Sequence, residues 1–210
     1  MLIRHLFACV IFLLSCLVSK SQDSTFIREI PVEHYASGRP EVFETIFALR
    51  DSLQLDTLEN GYDSLQIRFW LANRSMKQQV IILKYRNGRS LAYSAIFTPH
   101  LSENRDSIRY IDRAIGQIRP KVGWSTIWDS LFNLRVMSLP HFEKIKGYPI
   151  PHDAASLTIE VATPHLYRQY GYYSPYSAAE KIPEAAKVIR MLQLIERYFG
   201  IKLIDGFIKR

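Results

Sequence analysis

The sequence predicts a single α+β domain over residues 22–210, in which an antiparallel sheet packs against about four helices. The sheet is expected to hold a central three-stranded meander and a C-terminal hairpin. Three observations predict this class. Leu65, Ile67, Phe69 and Leu71 alternate with Gln66, Arg68 and Trp70, the period-two pattern of a strand with one buried face. Asn87-Gly88 stands between two apolar runs, the strongest short hairpin signal, because a type I′ turn needs positive φ at both positions. Val188, Leu192, Ile195 and Phe199 then recur at helical spacing after Pro183, and Gly200 ends the stripe.

The remaining elements follow in chain order. Thr25 to Val32 reads as a short strand. Pro40 suits a first helical position, with Glu41 and Glu44 complementing the helix dipole and Val42, Ile46, Leu49 and Leu53 as the apolar stripe. Residues 54–63 read as a loop, and Asn73 to Met76 as a turn. The Asn87-Gly88 register pairs Lys84 with Leu91, Ile82 with Tyr93 and Val80 with Ala95. The opposite face carries Ile81, Leu83, Ala92 and Ile96, so the hairpin is apolar on both sides and is expected to be central and at least partly covered on both. Ser102 caps an expected helix striped by Ile108, Ile111, Ile115 and Ile118 and closed by Pro120. Gly123 precedes another, with Trp124, Ile127, Trp128, Leu131 and Leu134 on one face. Pro140, Pro149 and Pro151 make residues 140–155 irregular.

Five tyrosines crowd His165–Ser177. If Thr163–Leu166 forms the turn, residues 156–162 pair back on 167–173. Ile159 then meets Tyr170 and Leu157 meets Tyr172, which sends both rings into a core. The other face sets Ala162 against Tyr167, Glu160 against Gln169 and Thr158 against Gly171. Two readings of that face fit. Tyr167, Tyr173 and Tyr176 offer flat apolar rings beside Glu160 and Gln169, a shallow groove for a sugar or peptide with Arg168 and His165 at its margin. Alternatively, aromatics are simply favoured on pleated surfaces and the helix after Ser177 covers them.

The N-terminal segment MLIRHLFACVIFLLSCLVSKSQ has the three-part layout of a secretory signal peptide cleaved after Ser21. Arg4 and His5 form the basic region, and Leu6–Val18 is an apolar run of 13 residues, short of the roughly 20 a spanning helix requires. Leu13-Leu14-Ser15-Cys16 resembles a bacterial lipobox, the alternative in which Cys16 is acylated and anchors the chain. The Ser-Gln ending resembles the leaders of exported bacterial proteins, a resemblance confined to residues 1–21. Cys9 and Cys16 both lie in this leader, so the exported chain has no disulfide and no thiolate. Its fold must come from apolar burial.

The chain carries 27 basic and 20 acidic residues, and removal of Arg4 and Lys20 lowers the net charge from +7 to +5. The charges are interspersed, and export disfavours nucleic acid as a partner. Lys84, Arg86 and Arg89 converge at the hairpin tip, either to meet an anionic partner or as a soluble, aggregation-resistant end. Zinc-binding H-E-x-x-H, the G-x-S-x-G elbow, phosphate loops and the Rossmann fingerprint do not occur in the sequence. No cofactor and no metal are therefore expected. His152, Asp153, Glu160 and His165 are the candidate acid/base groups for a hydrolase acting on an envelope or extracellular substrate. The preferred expectation is a non-catalytic binding domain of the periplasm or cell exterior, whose partner is a glycan, a peptide or another envelope protein.

Overall fold

Asn87 and Gly88 turn the chain with φ of 51° and 75°, the double positive-φ geometry of a type I′ hairpin. On either side run β3 (Gln78–Arg86) and β4 (Arg89–Leu101), paired with Lys84 on Leu91, Ile82 on Tyr93 and Val80 on Ala95, the register the turn implied. The computed structural model describes residues 25–31, 42–73, 77–103, 108–149, 155–205 and 207, with the backbone alone for 42–45.

β2 (Leu65–Ala72) joins β3 antiparallel on one side and β6 (Ser156–Thr163) on the other. β6 turns back into β7 (Leu166–Tyr173), with Ile159 on Tyr170, Glu160 on Gln169 and Thr158 on Gly171. The expected hairpins thus both exist, and β2 joins them by pairing with β6. The sheet has seven strands, in the order β1 (Ile27–Glu29), β7, β6, β2, β3, β4 and β5 (Ile108–Ile118), rather than a three-stranded meander plus one hairpin. It is also mixed rather than antiparallel, because β1 (Ile27–Glu29) runs parallel to β7, with Arg28 opposite Tyr167.

The other correction lies at residues 102–118. Ile108–Ile118 is not a helix but β5, paired antiparallel along β4. Isoleucine is β-branched and stiff at χ1, so it suits a pleated surface better than a helix. β4 is 13 residues long and offers a bare edge to pair with. On the strand the 3–4 spacing splits across both faces. Ile118 packs beside the larger core and Ile111 against the smaller, while Ile115 stays 46% exposed. The described helices are α1 (Val42–Ser52), α2 (Trp124–Asn133), the single turn α3 (Pro175–Ala178) and α4 (Pro183–Phe199), with a 3₁₀ turn at Phe142–Lys144. Pro183 opens α4, and Gly200, at φ 63°, closes it, its N–H donating to the Glu196 carbonyl at 2.8 Å. Among the described residues no helix is long and apolar enough to cross a membrane.

Each face of the sheet carries a core, which leaves most of β5 exposed. One carries Ile67, Phe69, Leu71, Ile81, Leu83, Leu157, Ile159, Val161, Tyr170 and Tyr172 against α2, α4 and the 136–148 segment, the main core. The other carries Trp70, Val80, Ile82, Ala95 and Phe97, and α1 lays Ile46 and Leu49 on it, with Leu53 just beyond its end. Beyond α1 the 54–63 segment, expected as a plain loop, continues this cover, with Leu58 fully buried on Ala162 and Tyr167. Gly61 makes that approach possible. It sits at φ 93°, and a Cβ there would stand 3.0 Å from both the Phe26 ring and the Thr163 carbonyl. The next residue, Tyr62, donates its N–H to the same Thr163 carbonyl at 3.0 Å.

Candidate functional site

The tyrosine hairpin separates into two faces as its register requires. Tyr170 and Tyr172 enter the main core, their hydroxyls donating to the carbonyls of Val136 at 2.6 Å and Pro140 at 2.7 Å. Their rings meet edge to face at 6.2 Å. The opposite face does not form the open groove. Tyr167 is fully buried, Gln169 and Glu160 are each 1% exposed, and the 54–63 segment closes over this end of the face. Tyr173 is half-buried against Phe142, with ring centroids 4.9 Å apart. Of the candidate groove tyrosines only Tyr176, at 38%, is exposed.

The space beside Gly171 is not vacant either. The His141 ring lies 3.5 Å from where a Cβ would stand, and its Nδ1 accepts the Gly171 N–H at 2.9 Å. That bond satisfies an outward-pointing group on β7 beyond the end of its pairing with β1. Burial, with Lys144 nearby, pulls the His141 pKa down to about 4, so the ring is neutral and able to accept.

Under the cover lies a buried polar network that the sequence reading missed. Glu160 accepts from Trp70 Nε1 at 2.6 Å and from the Tyr167 hydroxyl at 2.8 Å. Arg68, with no exposed side chain, places Nη1 3.5 Å from the same carboxylate and donates through Nη2 to the Asp56 carbonyl at 2.5 Å. The Gln66 amide oxygen, turned to face the guanidinium, accepts from Nε at 2.8 Å and Nη2 at 2.9 Å. Burial lowers the Arg68 pKa while Glu160 and Asp56 pull it back up. The Tyr167 phenol is pushed far up, first by burial and then by Glu160. A second pair joins Arg50 of α1 to Glu59 of the 54–63 segment itself, and Arg50 also holds Asp51 at 2.7 Å. Alternation along β2 had marked Gln66, Arg68 and Trp70 as a solvent face. The one signal against that was Trp70 itself, a large aromatic on the supposedly polar side, in line with Val80 and Ile82.

An apolar cavity of about 170 Å³ opens between α1 and the strand ends, beside Trp70. Ile46 and Leu49 of α1 line it together with Trp70 and Ala72 of β2, and Gln78, Ser156 and Thr158 add polar side chains. A dry apolar cavity of roughly 150 Å³ is enough to hold a benzene-sized ligand. Trp70 links this cavity to Glu160, since it lines the cavity while its Nε1 donates to the carboxylate. The space suits one apolar ring or a branched aliphatic group.

Of the four acid/base candidates, the two described, Glu160 and His165, do not share a site. Glu160 is buried, whereas His165 is exposed on the β6–β7 turn. His152 and Asp153 lie outside the described residues, as do His34, residues 1–21 and Pro40. At the hairpin tip Lys84 pairs with Asp56 and Arg86 with Asp63, each at 2.5 Å, so two of the three expected cations are engaged by the 54–63 segment. Arg89 is exposed opposite Arg86. No group of three or more metal-ligating side chains occurs among the described residues. No protein-family model matches the chain, and no curated protein matches it.

Proposed function

We propose that the chain is an exported, non-catalytic binding domain of the periplasm or cell exterior, which takes an apolar group into the cavity beside Trp70. One observation carries the reading. Among the described residues the lining of the cavity is mainly aliphatic and indole, with Gln78, Ser156 and Thr158 as its polar side chains, while Glu160, bonded to the lining residue Trp70, already accepts from Trp70 and Tyr167 and faces Arg68. A carboxylate with its lone pairs so occupied is not free to move a substrate proton. Apolar walls with a few placed polar groups suit recognition of a hydrophobic group. At about 170 Å³ the ligand is one ring or one branched side chain, presented by a peptide or another envelope protein. Export rests on the leader, whose basic start, apolar run and small residues before Gln22 favour cleavage after Ser21.

Ligand-observed NMR with benzene and indole as probes tests the cavity. The wild-type chain should show saturable binding, and Ala72→Phe, which puts a ring into the same space from a half-buried strand end, should abolish it while circular dichroism stays unchanged. Equal signals from wild type and Ala72→Phe, or none from either, overturn the reading.

A further inference from the structure

The outward face of α4 is charged with one sign only. Val188, Leu192, Ile195 and Phe199 fix one side of the helix in the main core. The opposite side runs through Ala186, Arg190, Gln193 and Arg197, all exposed, three or four residues apart and therefore in one line. Lys187 and Leu194 flank it, half-buried. Glu184 and Glu196 lie off the line on opposite sides, and Glu196 Oε1 accepts the Leu203 N–H at 2.9 Å. Gln193 and Arg197 line a shallow depression with Lys202. Lys121 reaches the wall of that depression at Gly200, its Nζ 2.5 Å from where a Cβ would stand. Arg68, Lys84, Arg86 and Arg168 are each held by a carboxylate. Among the described residues Lys121, Lys187, Arg190, Arg197 and Lys202 make no ion pair. Arg89 and Arg109 make none either but lie apart, on β4 and β5. The helix dipole favours a cation in the last turn, which accounts for Arg197, but Lys187 and Arg190 stand roughly two to three turns earlier. Tyr198 registers the local field, its pKa lowered first by its hydrogen bond with Ser130, then by Arg197, with the charge of Arg190 adding.

We propose that this face of α4 seats the chain on an anionic lipid surface, with the helix axis along the membrane plane and lipid phosphates accepting from Arg190, Arg197 and Lys202. The cavity plays no part in this inference. Charge complementarity sets the sign of the partner, and spacing sets its extent. Arg190 and Arg197 have Cα atoms about 10.5 Å apart, and Lys187 stands about 18 Å from the end of the helix. The five cations therefore cannot close on one phosphate, and the partner must carry several anionic groups across that span. Guanidinium suits phosphate, because its planar fork donates to two oxygens at once and sheds water more readily than an ammonium does. Leu194 and Tyr198, half-buried beside the arginines, favour an amphiphilic surface over a purely polar polyanion, since tyrosine is at home where an apolar layer meets water. A cluster of four or more Lys and Arg on an amphipathic helix gains about five-fold in affinity for each cation brought to an anionic membrane.

The test is co-sedimentation with lipid vesicles, using protein purified from cells expressing the full chain. Vesicles of phosphatidylcholine alone are compared with vesicles holding about 30% phosphatidylglycerol, so that any binding by a retained apolar leader is common to both. The anionic vesicles should bind at least about a hundred-fold more tightly, the product of three of the five cations. That excess should vanish at about 0.5 M salt, where charges are screened. Arg190→Gln with Arg197→Gln should cut it about 25-fold. Arg89→Gln with Arg109→Gln removes the same charge from elsewhere and should change it less than about two-fold. Equal losses in the two double variants would mean attraction by net charge alone and overturn the proposal. Equal binding to both kinds of vesicle, or binding to neither, also overturns it. An anionic glycan as the partner would appear as no preference between the vesicles, together with retention on heparin that only the α4 variant loses. All four arginines are exposed, and circular dichroism of each variant establishes that the fold is kept.

Discussion

Glu160→Gln removes the negative charge opposite a guanidinium that has no solvent access. Arg68 would keep the Asp56 carbonyl and the Gln66 amide as acceptors but lose the carboxylate 3.5 Å from Nη1. Breaking a buried ion pair by deleting one partner costs about 3–5 kcal/mol, and the two retained acceptors set this case near ~3 kcal/mol. The glutamine also offers one carbonyl oxygen where Trp70 Nε1 and the Tyr167 hydroxyl each had a carboxylate oxygen. The donor left over adds about 1 kcal/mol. A loss near ~4 kcal/mol is a large share of the 5–15 kcal/mol that holds a typical domain. Adding Arg68→Met to Glu160→Gln removes the stranded cation and should return about 2 kcal/mol, because replacing both members of a buried pair is far milder than replacing one. Urea unfolding followed by circular dichroism measures all three variants, with a common slope required before midpoints are compared. If Glu160→Gln costs under about 1 kcal/mol, or the double variant is no more stable than the single, the pair is not what secures this face.

Two further outcomes are expected. His141 has a folded pKa of about 4 against 6.5 unfolded, so the unfolded chain takes up a proton that the folded chain refuses. Its contribution is complete above about pH 6.5 and declines as pH falls to about 4, below which it is gone. At 1.36 kcal/mol per pH unit the change approaches ~3 kcal/mol. The stability difference between wild type and His141→Leu, measured by urea unfolding from pH 7 to 4, should narrow by that order, and a difference independent of pH refutes the neutral-acceptor role. For the leader, mass spectrometry of protein recovered from the periplasm or medium should find an amino terminus near Gln22. An acylated Cys16 terminus would instead make the chain a membrane-anchored lipoprotein.

Local sequence settled whatever depends on near neighbours. Asn87-Gly88 dictated its own hairpin and the pairing of β3 with β4, and Thr163–Leu166 did the same for β6 and β7, because a tight turn fixes register at once. Pro183 and Gly200 bounded α4 for equally local reasons. What lay beyond reach was the joining of β2 to β6, which sets Phe69 against Ile159 across 90 residues with no turn between them to announce it. That pairing placed β2 at the centre of the sheet, and the 54–63 cover then turned Gln66 and Arg68 from an expected wet face into a buried network with Glu160. The same applies at β5, where spacing suggested a helix and the bare edge of β4 made a strand. Periodicity records how side chains alternate along one segment. Which face meets water is decided only when distant segments close on each other.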